Sequence, residues 1–418
     1  MTRRVLVVGG GVIGLCIAYY CVRRGWRVTL AERHGERRDG CSFQNTGMVV
    51  PSHFVPLAAP GMVALGLKWM WNPAAPFYVK PRASWDLVDW GLKFWRAASA
   101  EHVRRAAPVL RDLHLASRAC FEELATPEND FGLAERGLLM LCKTRHALAE
   151  EARLAEQARA LGIPAEVLDA GAAADLDPGV RMDVAGAVYF PQDCHLAPDR
   201  FMAGLQRGLA QAGAEFLWHT EITGWRVDGV RRLRAARAGS GIEIEADEFV
   251  LCAGSWSAPL ARGLGLKLPL QAGKGYSLTL LHPRESPRIC AILTEARVAV
   301  TPMNGALRFG GTMEMAGLDE AINPVRVRGI IDAAARYYPG LDPADFDGVQ
   351  PWRGLRPCSP DGLPYLGRTA RFDNLVVATG HAMMGLSLGP ITGRLAAEIL
   401  SGERPSQDVG LLSPDRYH

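Results

Sequence analysis

The sequence predicts an α/β fold: a discontinuous Rossmann-like domain with an inserted α+β domain that contains an antiparallel sheet. Three observations lead there. The chain opens on an apolar run, a glycine cluster and a helix-like segment. The pairing of an apolar strand with a following glycine returns only far downstream, at residues 246–254 and 374–380. Between these lie helical and alternating stretches, and 418 residues are ample for two domains.

The opening unit comes first. Val5-Leu6-Val7-Val8 reads as a strand buried on both faces. Gly9-Gly10-Gly11-Val12-Ile13-Gly14 fits the pattern G-x-G-x-x-G, and Ile13, Cys16, Ile17 and Tyr20 form a helical stripe. Gly25 ends the helix, and a second strand over residues 27–31 ends at Glu32. A rival reading is a secretory signal or membrane anchor, because residues 5–22 are uncharged and flanked by arginines. Four glycines in the middle, no small-residue cleavage site and a marginal length argue against it.

The nucleotide reading gives each residue a mechanical role. Gly9 allows the tight turn, Gly11 lets backbone approach a pyrophosphate, and Gly14 lets helix pack closely on strand. Val12 and Ile13 open the helix whose unpaired N–H groups and partial positive charge attract phosphate. Glu32, with Arg33 beside it, is spaced to receive ribose hydroxyls. The motif alone does not separate NAD from FAD. An NAD domain normally continues at once into alternating strands and helices. Here a polar loop, Cys41 to Met48, a tryptophan-rich region and helices intervene before strands resume.

Composition excludes other classes. Forty-seven basic against forty-four acidic residues leave a net charge of +3, with no concentrated basic face to suggest nucleic-acid binding. Nine scattered cysteines form no CxxC pair, so neither a disulfide framework nor a metal site is expected, and a reducing, cytoplasmic compartment fits. The loop "ERHGERRDG" reads as a solvated turn and residues 146–161 as an exposed helix.

Five motifs in combination carry a family resemblance: "VVGGGVIGL", "SFQNTGMVVPS" followed by "PLAAPGM", "GKGYSLTL", "WRGLRPCSPDGLPYLG" and "NLVVATGHAMMGLSLGPITGRLAAEIL". Over almost its whole length the chain resembles the D-amino-acid oxidase superfamily of FAD-dependent amine oxidoreductases. The nearest likeness is to bacterial D-amino-acid dehydrogenases of the small-subunit type. The resemblance implies noncovalent FAD held by residues 1–57, 194–265 and 345–418, and a substrate domain of residues 58–193 and 266–344. Ser42, Gln44, Asn45, Thr46 and Gly47 match loop positions at pyrophosphate or flavin. Ile222, Gly254 and Gly354 join the expected cofactor set. Gly380, Met384, Gly385, Leu386 and Ser387 form the turn whose backbone N–H groups would face the flavin.

For the substrate, the resemblance implies Arg356 as the carboxylate anchor; a guanidinium fork suits that role because it binds carboxylate through two parallel charge-assisted bonds. The bland alternative pairs it with Asp361 or solvent. Tyr276 is expected in the pocket or in packing, and His381 in chemistry or in fixing its turn. The implied reaction is oxidative deamination of a D-amino acid, hydride passing from Cα to flavin N5 to give an imino and then a 2-oxo acid. Oxidation of D-proline, D-hydroxyproline, glycine or sarcosine, or service as a non-catalytic flavin subunit, remains open. The implied electron acceptor is a quinone or carrier protein. Trp69, Trp71, Trp85, Trp90 and Trp95 crowd one segment that reads as an aromatic cap over the site, with peripheral membrane contact as the alternative.

Overall fold

The computed structural model describes residues 2–69, 76–80 and 82–418; Trp71 lies outside them. Arg4–Val8 is the hinge of the architecture. It pairs in parallel with Arg27–Ala31 on one side and Glu248–Leu251 on the other. Glu215–Leu217 extends the first flank, and Leu375–Thr379 then antiparallel Tyr365–Arg368 extend the second. Six strands from four distant stretches, residues 4–31, 215–217, 248–251 and 365–379, thus make one sheet. Alternation along its central strand explains the apolar run. Val5 and Val7 face helices Val12–Val22, Ala100–Leu124, Pro198–Gln211 and Gly389–Ser401, while Leu6 and Val8 face a three-stranded sheet from residues 222–245.

The expected single apolar stripe on the first helix needs correction. Val12, Leu15, Cys16, Ile17, Ala18, Tyr20 and Cys21 are all buried, whereas Ile13 is only partly so. The helix is covered by the sheet on one side and by Gly389–Ser401 on another, so few of its positions can stay polar. A Cβ on Gly393 would lie 2.5 Å from the Cys16 backbone, which shows how closely these helices cross.

The second sheet has nine strands and is mostly antiparallel; Leu138–Cys142 and Phe77–Val79 each make one parallel pairing. The sequence division at residue 345 meets strand Trp352–Cys358, which pairs with Gln271–Leu280 in this sheet rather than with the parallel one. The strand therefore carries Arg356 to the seam between the two sheets. The 25-residue helix Ala100–Leu124, capped by Ser99, drew no notice in the sequence.

Candidate active site

The glycine turn leaves no room for side chains. Gly9 has φ +116°, and a Cβ there would lie 2.6 Å from the Cys252 carbonyl oxygen. One on Gly14 would lie 1.9 Å from the Gly9 oxygen. Gly11 caps the first helix without a side-chain acceptor, and no acid occupies its first turn. The helix N-terminus thus keeps its partial positive charge for an anion. The Val12 N–H donates to Ser42 Oγ at 3.2 Å.

Glu32 receives the Gly10 N–H at 2.7 Å and the His34 N–H at 3.0 Å. A carboxylate has about four acceptor positions, so it can still take hydroxyl donors. The loop read as a solvated turn requires correction at Arg38, which is 7% exposed. Its Nε donates to the Gly10 carbonyl at 2.9 Å, and the guanidinium lies over Phe43 and Trp218. Charge density alone made this segment look solvent-facing; stacking, the Gly10 and Glu36 carbonyls and Gln206 draw an arginine inside.

A cleft starts at Glu32 and Arg33, passes Gly9, Gly11, Val12 and Ile13, and skirts Ile222 and Gly254. It ends at Arg356, His381, Gly385 and Leu386. A second cavity is lined by Gln44, Thr46, Tyr276, Gly354, Met384 and Ser387, among others. Cys41, Asn45, Arg356 and Met383 line both, so the two meet there. Gly14, Gly47 and Gly380 line neither. Gly47 abuts the Leu196 carbonyl and Gly380 abuts the Tyr365 ring, so both shape turns instead.

Arg356 stands at the junction. Its Nη1 donates to the Thr312 carbonyl at 2.7 Å, and the guanidinium lies flat against Gly275. Asp361 pairs instead with Arg416 at 2.7 Å, and Arg353 is taken by Asp39 and Glu320. Among the described residues no carboxylate lies within ion-pair distance of Arg356. Tyr276 is 1% exposed and its hydroxyl donates to Glu314 at 2.7 Å, which directs it into the sheet interior. His381 Nε2 bonds Thr392 Oγ1 at 3.0 Å. Burial pushes its pKa down to about 3, so the ring is neutral near pH 7, while its buried Nδ1 has no partner among the described residues.

His53 lines the second cavity, and His114 lies behind its Ser387 wall. His53 bonds Ser52, and burial with nearby Arg297 lowers its pKa to about 4. His114 Nδ1 bonds Ser387 Oγ at 2.9 Å, and that hydroxyl oxygen receives the Val50 N–H at 3.0 Å. Ser387 therefore joins the early loop to the last turn.

Residues 4–399 match the family described as FAD dependent oxidoreductase, DAO. The chain belongs to this family. The oxidoreductase is 32% identical over 424 residues to the D-amino acid dehydrogenase of Granulibacter bethesdensis, with 99% of each chain covered. It is 34% identical over 427 residues to that of Paramagnetospirillum magneticum, again covering 99% of each. Its fold is similar to glycine oxidase from Geobacillus kaustophilus at TM-score 0.79 and 26% identity, over 100% of both chains. FAD is the cofactor of this oxidoreductase, and the residues present fit it. The side-chain-free turn suits a pyrophosphate, Glu32 suits a ribose, and the cleft is long enough to end beside Arg356.

Arg38, Arg297, Thr312 and His114 line or brace the site, and the sequence reading singled out none of them. No spacing rule marks them, and the glycines beside Arg38 and Thr312 belong to no recognised motif. Only the sheet and loop contacts bring them in.

Proposed function

We propose that this oxidoreductase removes hydrogen from the Cα–N bond of a D-amino acid, giving the imino acid, which water converts to a 2-oxo acid. The observation that carries the reading is Arg356, a guanidinium without a carboxylate partner among the described residues, where the cofactor cleft meets the second cavity. It grips the substrate carboxylate and so fixes which face of Cα turns toward the cleft. Bound FAD supplies the two-electron acceptor. Met383, Met384 and Met313 contribute apolar walls that exclude water, and neutral His53 and His381 add no charge to repel an ammonium. The similarity to proteins named D-amino acid dehydrogenase supports the D configuration. The second cavity's apolar lining, with Met62, Leu65 and Trp69, favours an amino acid bearing a side chain over glycine or sarcosine.

Anaerobic mixing of the yellow protein with a panel of D-amino acids, D-prolines and N-methylglycine is the direct test. At least one side-chain-bearing D-amino acid should bleach the flavin band. Bleaching by glycine or sarcosine alone would refute the reading, and no bleaching at all would favour a non-catalytic subunit.

Electrons then leave to a quinone or carrier protein. Helix Trp85–Ala97 supports a peripheral membrane contact. Trp90 docks inward, its Nε1 donating to the Cys358 carbonyl at 2.9 Å. On the opposite side Trp85 is 86%, Val88 50%, Leu92 52% and Trp95 63% exposed, with Lys93 and Arg96 on the same helix. Asp86 and Asp89 balance the two basic residues, so the apolar stripe itself, rather than charge, suits a lipid surface. No helix among the described residues is long and apolar enough to cross a membrane. Vesicles containing anionic lipid should co-sediment the protein. The Trp85→Glu, Trp95→Glu double variant should stay in solution at unchanged dye-linked activity; equal sedimentation would rule out this face.

A further inference from the structure

Thr312 occupies a position that threonine ordinarily avoids. Its φ is +63°, in the left-handed region where a β-branched residue is strained. The cause is a β-bulge. Lys274 pairs with Glu314 and Tyr276 with Gly311, so the single residue Gly275 faces both Thr312 and Met313. Several bonds hold the bulge. The Met313 N–H donates to the Pro76 carbonyl at 2.7 Å, and Arg326 Nη2 donates to the Met313 carbonyl at 3.3 Å. Glu314 accepts the Tyr276 hydroxyl, and the buried Lys274 ammonium lies 3.8 Å from it.

The bulge has two effects on one residue. The Thr312 carbonyl receives Arg356 Nη1 at 2.7 Å, which aims the guanidinium. Thr312 lines the second cavity, and its hydroxyl is buried beneath that wall without a partner among the described residues. A buried hydroxyl left unpaired costs free energy, so a strained residue that keeps one calls for a ligand atom. An α-amino acid carries an N–H donor next to the carboxylate that Arg356 would hold.

We propose that Thr312 is a substrate-binding residue whose Oγ1 accepts a hydrogen bond from the substrate's α-amine, while its carbonyl positions Arg356. The proposal rests on the amine-oxidation reading. One strained residue then reads both polar ends of the amino acid, which selects compounds with an N–H donor beside the carboxylate over plain carboxylates.

The test compares wild type, Thr312→Val and Thr312→Ser as flavin-loaded protein. Each is assayed with the fastest D-amino acid from the bleaching screen and with its desamino carboxylate as competitive inhibitor (propanoate where the substrate is D-alanine). Valine keeps the β-branch and the strain but lacks the hydroxyl. Thr312→Val should raise KM roughly 10-fold, the worth of one such bond, while propanoate inhibition stays within about twofold. Thr312→Ser should recover near-normal KM. An unchanged KM in Thr312→Val, an equal loss of propanoate affinity, or a Thr312→Ser as impaired as Thr312→Val would each overturn the proposal. A wild-type flavin that no amino acid bleaches overturns the amine-oxidation reading and takes this proposal with it.

Discussion

Gly14→Ala is expected to purify folded but nearly colourless. The added methyl would meet the Gly9 carbonyl oxygen at 1.9 Å, with Cys252 Sγ at 3.2 Å behind it. Helix and turn must separate to admit it, and the separation relieves strain only in a shape that no longer cradles phosphate. Overpacking of this kind costs about 1–3 kcal/mol. If the strain falls on the flavin-competent turn, affinity drops roughly 5- to 100-fold, at about 1.4 kcal/mol per decade. Flavin content per chain, measured from the visible spectrum after purification and again after adding FAD, checks this. Circular dichroism separates cofactor loss from unfolding. A variant with wild-type flavin content would show that the turn can relax without moving its phosphate-facing N–H groups.

The second large effect is at Arg356. Arg356→Ala should keep its flavin yet lose amino-acid turnover. Removing one partner of a buried charge pair costs about 2–5 kcal/mol, or roughly 30-fold to several thousandfold in kcat/KM. The loss should appear mainly in KM if the arginine only binds, and in kcat as well if it also sets the angle of Cα. Arg356→Lys should fall between, since it keeps the charge and loses the planar fork. Gly275→Ala is the complementary change. Its Cβ would lie 2.2 Å from Arg356 Nη2, displacing the guanidinium while leaving its charge intact. Wild-type kcat/KM in Arg356→Ala would remove the proposed anchor.

These two positions differ in how far the sequence alone could reveal them. Gly14 is legible because a tight turn between an apolar strand and a helix needs glycine at fixed offsets, and those offsets are local. The same holds for the first two strands, for Glu32, and for the distant strands at Glu248–Leu251 and Leu375–Thr379, each marked by an apolar run ending near glycine. Arg356 was reachable only through family resemblance; its spacing gives no reason to prefer it over Arg353. The structure supplies one, because Arg353 meets Asp39 and Glu320 whereas Arg356 meets a backbone carbonyl.

Tyr276 and His381 show where local reading stops. Both sit in motifs that suggested chemistry, and both line a cavity. The Tyr276 hydroxyl nevertheless bonds Glu314 and His381 Nε2 bonds Thr392, leaving only His381 Nδ1 without a partner among the described residues. Arg38 shows the opposite case, a charge-rich loop residue carried inside.

By itself the sequence determined the dinucleotide turn, four of the six strands that build its sheet and the family, since each is written in contiguous residues with a steric reason for their type. The tertiary structure alone decided which arginine is left without a carboxylate, where a β-bulge turns Thr312 toward the second cavity, and which polar groups are already engaged. Those outcomes depend on partners tens to hundreds of residues away, and only the register of paired strands sets them.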